Sequence, residues 1–471
     1  MTEVNQPSWR DRQADLEANG LYDRRDEKDA CGVGLVAAID GKASRKVVDA
    51  AIQALKSVWH RGAVGADGKT GDGAGIRLAV PQEFFRKHIA RTGHVSKPDT
   101  EVAVGMIFLP RTDLDAKERC RVVVEREILN FGYKIFGWRQ VPVEESVLGE
   151  KADEARPEIE QIMIEKSAGV SAQQMERDLY LIRRRIEKTV RSYSIPDFYI
   201  CSLSLMSVIY KGMFLAEDID VFFPDLQDRD FESHFAVYHQ RYSTNTFPTW
   251  WLAQPFRVLA HNGEINTIQG NENWMKAHES RMTSDFFSAE QLSDIRPVVQ
   301  PGSSDSASLD AAVELMSING RNLPMVKTLM IPEAWEARKI KADHRDLYAY
   351  CGAVMEPWDG PAAICAVAGD WAVAGMDRNG LRPLRYSLTD DNLLIAGSET
   401  GMVPVDEPSI IEKGRLAPGE MIAVDFAGQR LLKDQEIKDE LAASQDFSGW
   451  GKNIKVLDDL LAPAKRGGTM V

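Results

Sequence analysis

The chain has 471 residues, 44% hydrophobic and 27% charged, the balance of a globular protein with room for one large domain or two to three ordinary ones. Its net charge of −14, from 71 acidic against 57 basic residues, disfavours nucleic acid, and no run approaches the roughly 20 apolar residues of a membrane span. The N-terminal segment lacks the apolar core of a secretory signal, so a cytoplasmic location is expected.

Residues 1–30 are densely charged and poor in large apolar side chains, so this segment is expected to stay out of any core. The composition then switches to Cys31-Gly32-Val33-Gly34-Leu35-Val36-Ala37-Ala38-Ile39, a buried strand that opens with a thiol. A cut between Ala30 and Cys31 would put a thiol and a free α-amine on one residue. Such an amine, with a pKa of roughly 7.7–8.0, accepts a proton near neutrality. A lone cysteine at a strand start is more often a small buried hydrophobe, so the thiol needs corroboration from other motifs.

Ser44 is a helix cap, and Val47, Val48, Ala51, Ile52, Leu55 and Val58 follow at amphipathic helical spacing. Strands are predicted at 74–80 and 102–109, a helix near 116–129 and a strand about 133–141. Residues 145–175 are polar and read as a surface insertion. Strand patterns recur at 198–203, 205–210, 234–242 and 256–260. The segment after Ser304 is helical, with Leu309, Ala312, Val313 and Met316 on one face. Late strands are predicted at 362–368, 371–375, 392–396 and 421–425, and the polar stretch from about 431 to 471 reads as a linker. Strands, then helices, then strands again favour an α+β layered sandwich over a doubly wound parallel sheet.

Four clusters carry candidate chemistry. Trp59 to Asp67, with Thr70-Gly71-Asp72-Gly73-Ala74-Gly75, is glycine-rich and is either the wall of a ligand site or a plain hairpin; for 71–75 alone the hairpin is preferred. Arg241 ends an apolar strand and is followed by Tyr242-Ser243-Thr244-Asn245-Thr246, a pattern suited to gripping a carboxylate or merely to a surface salt bridge. His261-Asn262-Gly263-Glu264 is a turn, or else an amide and a backbone N–H aimed at a developing oxyanion. Gly302-Ser303-Ser304-Asp305-Ser306 is an ordinary N-cap, or an anion facing a substrate ammonium. Five widely spaced cysteines, with no C-x-x-C or H-E-x-x-H pattern, predict neither a disulfide framework nor a metal site.

Taken together, these blocks resemble the class II glutamine amidotransferases, a group of N-terminal-nucleophile hydrolases, and more closely the glutaminase domain of glutamate synthases. The likeness runs over about 31–430 and includes Tyr210-Lys211-Gly212-Met213 and Pro224-Asp225-Leu226. It implies an αββα four-layer sandwich of two mainly antiparallel sheets. Cys31 would be the nucleophile, its α-amine the general base, and Asn262 and Gly263 the oxyanion hole. Arg241 would bind the α-carboxylate of L-glutamine and Asp305 its α-ammonium, with Ser243 and Thr244 lining the same subsite. Residues 1–30 would be a propeptide, and 431–471 would lead toward a synthase region not contained in this chain. FMN, an iron–sulfur cluster and a small reductase subunit are implied there, with no cofactor in this chain. Two other readings stay open: a papain-like pairing of Cys31 with His60 or His261, and a non-catalytic glutamine- or partner-binding module. Ammonia delivery to a different acceptor is a further alternative.

Overall fold

In a computed structural model the described residues are 18–19, 31–97, 99–241, 247–452 and 455. The expected propeptide therefore lies almost entirely outside them. The strands run in chain order as β1 Gly32–Ala38, β2 Ala74–Ala79, β3 Val102–Leu109, β4 Lys134–Gln140, β5 Glu158–Glu165 and β6 Tyr199–Ser204. They continue as β7 Ser207–Gly212, β8 Phe235–Gln240, β9 Leu259–Gly263, β10 Ala362–Ala368 and β11 Trp371–Met376. The last are β12 Arg385–Thr389, β13 Leu393–Gly397, β14 Ile410–Arg415, β15 Met421–Asp425 and β16 Arg430–Leu432. Every pairing among them is antiparallel.

A seven-stranded sheet, β14-β12-β13-β1-β8-β2-β7, lies against a five-stranded one, β16-β15-β11-β10-β9. Side-chain alternation explains why. Val33, Leu35 and Ala37 of β1 join Ala363, Cys365 and Val367 of β10 in the core between the sheets. The intervening Val36 and Ala38 turn outward onto Val47, Val48, Ala51 and Leu55 of helix α1 (Arg45–Ser57). Ile364 and Ala366 of β10 turn the other way, onto helices that include Leu309 and Val326. Strands covered on both faces read as continuous apolar runs, and that is how β1 and β10 read. The four layers are helix, sheet, sheet, helix, as the resemblance implied.

Between β2 and β7 the chain builds a further four-stranded sheet, β4-β5-β3-β6. Helices α2 (Leu114–Asn130) and α3 (Ala172–Ser192) cover one face of it. This corrects the expectation of a polar surface insertion at 145–175, because β5 is an interior strand with Ile159, Ile162, Met163 and Ile164 buried. Its inner polar residues, Glu160 and Gln161, are buried and paired. Glu160 meets Lys117 at 2.7 Å, and Gln161 donates to the Tyr210 hydroxyl at 2.9 Å. The expected linker at 431–471 is likewise corrected over 431–452, the rest lying almost entirely outside the described residues. There β16 completes the five-stranded sheet, and helix residues Ile437, Leu441 and Phe447 enter the core. The buried Lys438 in that stretch is neutralised by Glu333 at 3.0 Å and Asp434 at 2.8 Å. The strand predicted at 256–260 begins and ends three residues later, so that Asn262 and Gly263 belong to it. Among the described residues no helix is long and apolar enough to cross a membrane.

Candidate active site

Cys31 precedes β1 and is half-buried. The pairing of β1 with β8 sets Gly32 against Gln240, and one further step of that register brings Arg241 opposite Cys31. The Arg241 N–H donates to the Gly73 carbonyl at 2.8 Å, which draws the glycine-rich loop to the same place. Gly73 has φ +129°, and a Cβ there would come 2.9 Å from the Cβ of Ala253, so a side chain is excluded by both conformation and space. Arg241 itself is buried. Burial pulls its guanidinium below the ordinary value, against the opposing charges of Asp72, Cys31 and Asp305.

Asn262 comes from the other sheet. Its Nδ2 donates to the Cys31 carbonyl at 2.7 Å, tying the end of β9 to the start of β1. The strand under it is held by side chains rather than only by its ladder. Gln254 accepts from the His261 N–H at 2.8 Å and donates to its carbonyl at 3.3 Å. His239 of β8 also reaches that carbonyl, at 3.2 Å. Burial, then the charge of Arg241, pushes His239 down to about 3, so its ring is neutral at pH 7. Gly263 has φ +143°, and a Cβ there would fall 1.7 Å from the Pro361 carbonyl oxygen; only glycine fits.

Asp305 is the first residue of helix α4 (Asp305–Ile318), whose N-cap is Ser304, with Oγ accepting from the Ala307 N–H. Its Oδ2 accepts from the Ile265 N–H at 2.8 Å and its Oδ1 from the Ser306 N–H at 2.7 Å. The Ser306 hydroxyl lies 2.8 Å from Nδ1 of His261. The helix start is thus bound to the turn that follows Gly263, and the capping role belongs to Ser304. Ser243 and Thr244 lie outside the described residues.

None of the five cysteines is in a disulfide. Burial raises the thiol of Cys120 to about 11 and those of Cys201 and Cys351 to about 12, and Cys365 is raised further. Only Cys31 is not fully buried, and a buried apolar setting makes a thiol inert. The two histidines weighed as its partners each have one ring nitrogen in a contact with another residue. His60 Nε2 and Arg61 Nε both meet Glu399 Oε1, at 3.0 and 2.5 Å, and His261 is turned to Ser306. Among the described residues one group, Asp343, His344 and Asp439, has metal-ligand composition. Its Asp439 is already paired with Lys341 at 2.5 Å and His344 at 2.7 Å.

Sequence reasoning gave no individual role to Asp72 or His239 and did not single out Gln254. Asp72 stood inside a run read as a hairpin; its position two residues before a strand that pairs with β8 was the available signal. Nothing local marked Gln254; His239 stands two residues before Arg241 in the same cluster, but its work, like that of Gln254, is done across the sandwich.

Residues 31–450 match the family described as glutamine amidotransferases class-II. The chain is 58% identical over 473 residues to the glutamate synthase [NADPH] large chain of Azospirillum brasilense, covering 99% of this chain and 31% of that protein. It is 41% identical over 431 residues to ferredoxin-dependent glutamate synthase 2 of Synechocystis sp., covering 91% of this chain and 27% of that one. The chain thus spans less than a third of the length of these relatives. The solved structure of the allosteric regulatory enzyme of purine biosynthesis aligns with a TM-score of 0.31 at 17% identity, over 48% of this chain and 40% of that one.

Proposed function

We propose, from the premise that this chain belongs to the class II glutamine amidotransferases, that it hydrolyses L-glutamine to glutamate and ammonia through a thioester on Cys31. The observation that carries the reading is the contact of Asn262 with Cys31 at 2.7 Å, with Arg241 opposite the same residue. Residues 231 positions apart in sequence meet where an amide substrate needs a nucleophile and an oxyanion donor together. In this reading residues 1–30 are a propeptide whose removal frees the α-amine of Cys31. The Cys31 thiol passes its proton to that amine and attacks the δ-carboxamide carbon. The Asn262 amide and the Gly263 N–H hold the oxyanion. The protonated amine then donates to the leaving nitrogen, ammonia departs, and water cleaves the thioester to glutamate. The bidentate fork of Arg241 takes the α-carboxylate and Asp305 the α-ammonium, with Ser243 and Thr244 in the same subsite.

The likeness to glutamate synthases supports a second half-reaction elsewhere, in which ammonia is added to 2-oxoglutarate. FMN and an iron–sulfur cluster would serve that step in a synthase region or partner, with a small reductase subunit supplying electrons. No described residues of this chain form a cysteine cluster suited to hold iron and sulfur. Cysteines without disulfides suit a reducing compartment, and we assign the chain to the cytoplasm.

The direct test is the mass of the purified chain before and after treatment with a diazoketone analogue of glutamine. Loss of residues 1–30 and one adduct confined to Cys31 is the expected result. An adduct on Cys201 or Cys351 instead would mean that the wrong thiol has been assigned.

The ammonium role of Asp305 has its own test. Asp305→Asn is expected to raise the KM for glutamine by about 10- to 100-fold, the cost of leaving a buried charge without its partner. Asparagine also sets an NH2 group against one of the two backbone donors now bound, so a general loss of order must be separated. Glutaramate, which is glutamine without its α-ammonium, makes the separation: the variant should lose its preference for glutamine over glutaramate. An unchanged preference would retire the assignment.

A further inference from the structure

We propose that a cavity of about 450 Å³, at the end of the sandwich remote from Cys31, binds a small organic anion. Arg77, Arg177 and Arg321 would hold its carboxylate or phosphate, and Phe286 and Trp371 would flank its apolar or planar body. Strand β10 locates it: Ala362 lies at the active-site end, paired with Gly263, and Val367 lines the cavity. Five residues of strand at about 3.3 Å each put the two sites roughly 17 Å apart. One wall is helix α3 of the inserted unit, and the other is the end of α4 with the turn between β10 and β11. A volume in the roughly 300–1,000 Å³ range, with mixed apolar and polar walls at a junction of two units, is that of a small-molecule site.

The charge on offer decides the ligand class. Arg77 is 5% exposed; its Nη1 donates to the carbonyls of Val258 at 3.2 Å and Val367 at 2.7 Å, and its Nε to the Ser207 hydroxyl at 3.2 Å. No hydrogen bond is made by its Nη2 among the described residues. Burial brings this guanidinium down to about 10, so it remains a cation at neutral pH. Ser202, 3% exposed, also lines the cavity, and its Oγ has no partner among the described residues. Arg177 spends only Nε, on the Ile318 carbonyl at 3.2 Å, and stacks 3.7 Å over the Phe286 ring. Arg321 is exposed on the same cavity's lining.

The acceptors are largely spent. Glu176 takes the Ser204 hydroxyl and the Leu205 N–H, and burial pushes its carboxyl up to about 7. Glu314 is paired with Arg183 at 2.6 Å, and Arg257 with Glu187 at 2.9 Å. Asp310, whose charge also reaches Arg77, binds the N–H groups of residues 257–259. Unused guanidinium and hydroxyl donors therefore outnumber unused acceptors. Buried donors of this kind call for an acceptor-rich ligand. The assignment does not rest on the glutaminase reading, because none of these residues belongs to the Cys31 site.

The test is fluorescence titration of the 471-residue chain with 1-naphthoate, 1-naphthyl phosphate and the uncharged 1-naphthalenemethanol. At least one anion should bind about 10-fold or more tightly than the alcohol, equivalent to about 1.4 kcal/mol. The tighter of the two anions identifies the headgroup. The double variant Arg177→Gln, Arg321→Gln should erase that preference while leaving ammonia release from glutamine unchanged; Arg77→Met should do the same if it folds. Equal binding of the alcohol, no binding at all, or full anion affinity in the double variant would overturn the proposal.

Discussion

Cys31→Ala is expected to lower ammonia release from glutamine by about four orders of magnitude or more, since removal of a covalent nucleophile takes away the reaction path rather than one contact on it. Folding should survive. Cys31 is only half-buried and its side chain contributes little to the core, whereas the strand it precedes is anchored by Val33, Leu35 and Ala37 between the sheets. The change is also expected to remove the diazoketone adduct. Cys201→Ala and Cys351→Ala serve as controls, because burial holds both thiols near 12 and keeps them from reacting. They should cost stability at unchanged turnover. A Cys31→Ala chain that still releases ammonia at the parent rate would refute the nucleophile and with it the thioester. Steady-state ammonia release, measured with circular dichroism melting of each variant, decides the matter.

Asn262→Ala is expected to reduce kcat by about 100- to 1000-fold, the usual loss for one oxyanion donor and equal to about 2.7–4 kcal/mol of transition-state stabilisation. The KM for glutamine should change little, since the ground-state carboxamide gains less from the donor than the tetrahedral oxyanion does. The Asn262 Nδ2 bears two N–H groups, and one of them is directed at the Cys31 carbonyl at 2.7 Å. That bond fixes the amide, and the second N–H is the donor assigned to the oxyanion. Alanine would also strip the Cys31 carbonyl of its partner, at a cost of about 1–3 kcal/mol in stability, so kcat must be compared well below both melting points. A fall in kcat/KM that lies wholly in KM would transfer Asn262 from the oxyanion to substrate binding.

The two sites respond to different chemistry. The Cys31 end of the sandwich is built from residues whose backbones are locked by glycine and by side-chain hydrogen bonds across the sheets. The arginine-lined end is built at the junction with an inserted four-stranded unit. A ligand there would bridge α3 and α4, and α4 is the helix that begins at Asp305.

Much of the layered core was legible because its strands and helices carry strong local patterns. Residues 32–38 and 362–368 read as buried strands, and the spacing of Val47, Val48, Ala51 and Leu55 marks a helix that packs where expected. The two segments misread at 145–175 and beyond 431 share one cause. Both contain charged side chains that are buried with partners distant in sequence, such as Glu160 with Lys117 and Lys438 with Glu333. Polarity signals a surface only when the partner is water.

By itself, the sequence determined the order of the motifs, an α+β layered sandwich and the thiol to be considered, because composition and periodicity are local properties; the antiparallel pairing of its sheets was implied only by the family resemblance. The tertiary structure alone decided that Asn262 lies on the Cys31 carbonyl, that Arg241 stands across from Cys31, and that Gln254 and His239 brace the strand beneath. Those contacts depend on strand register and on two sheets meeting face to face. No local pattern encodes them, because each joins residues brought together only when the whole core closes.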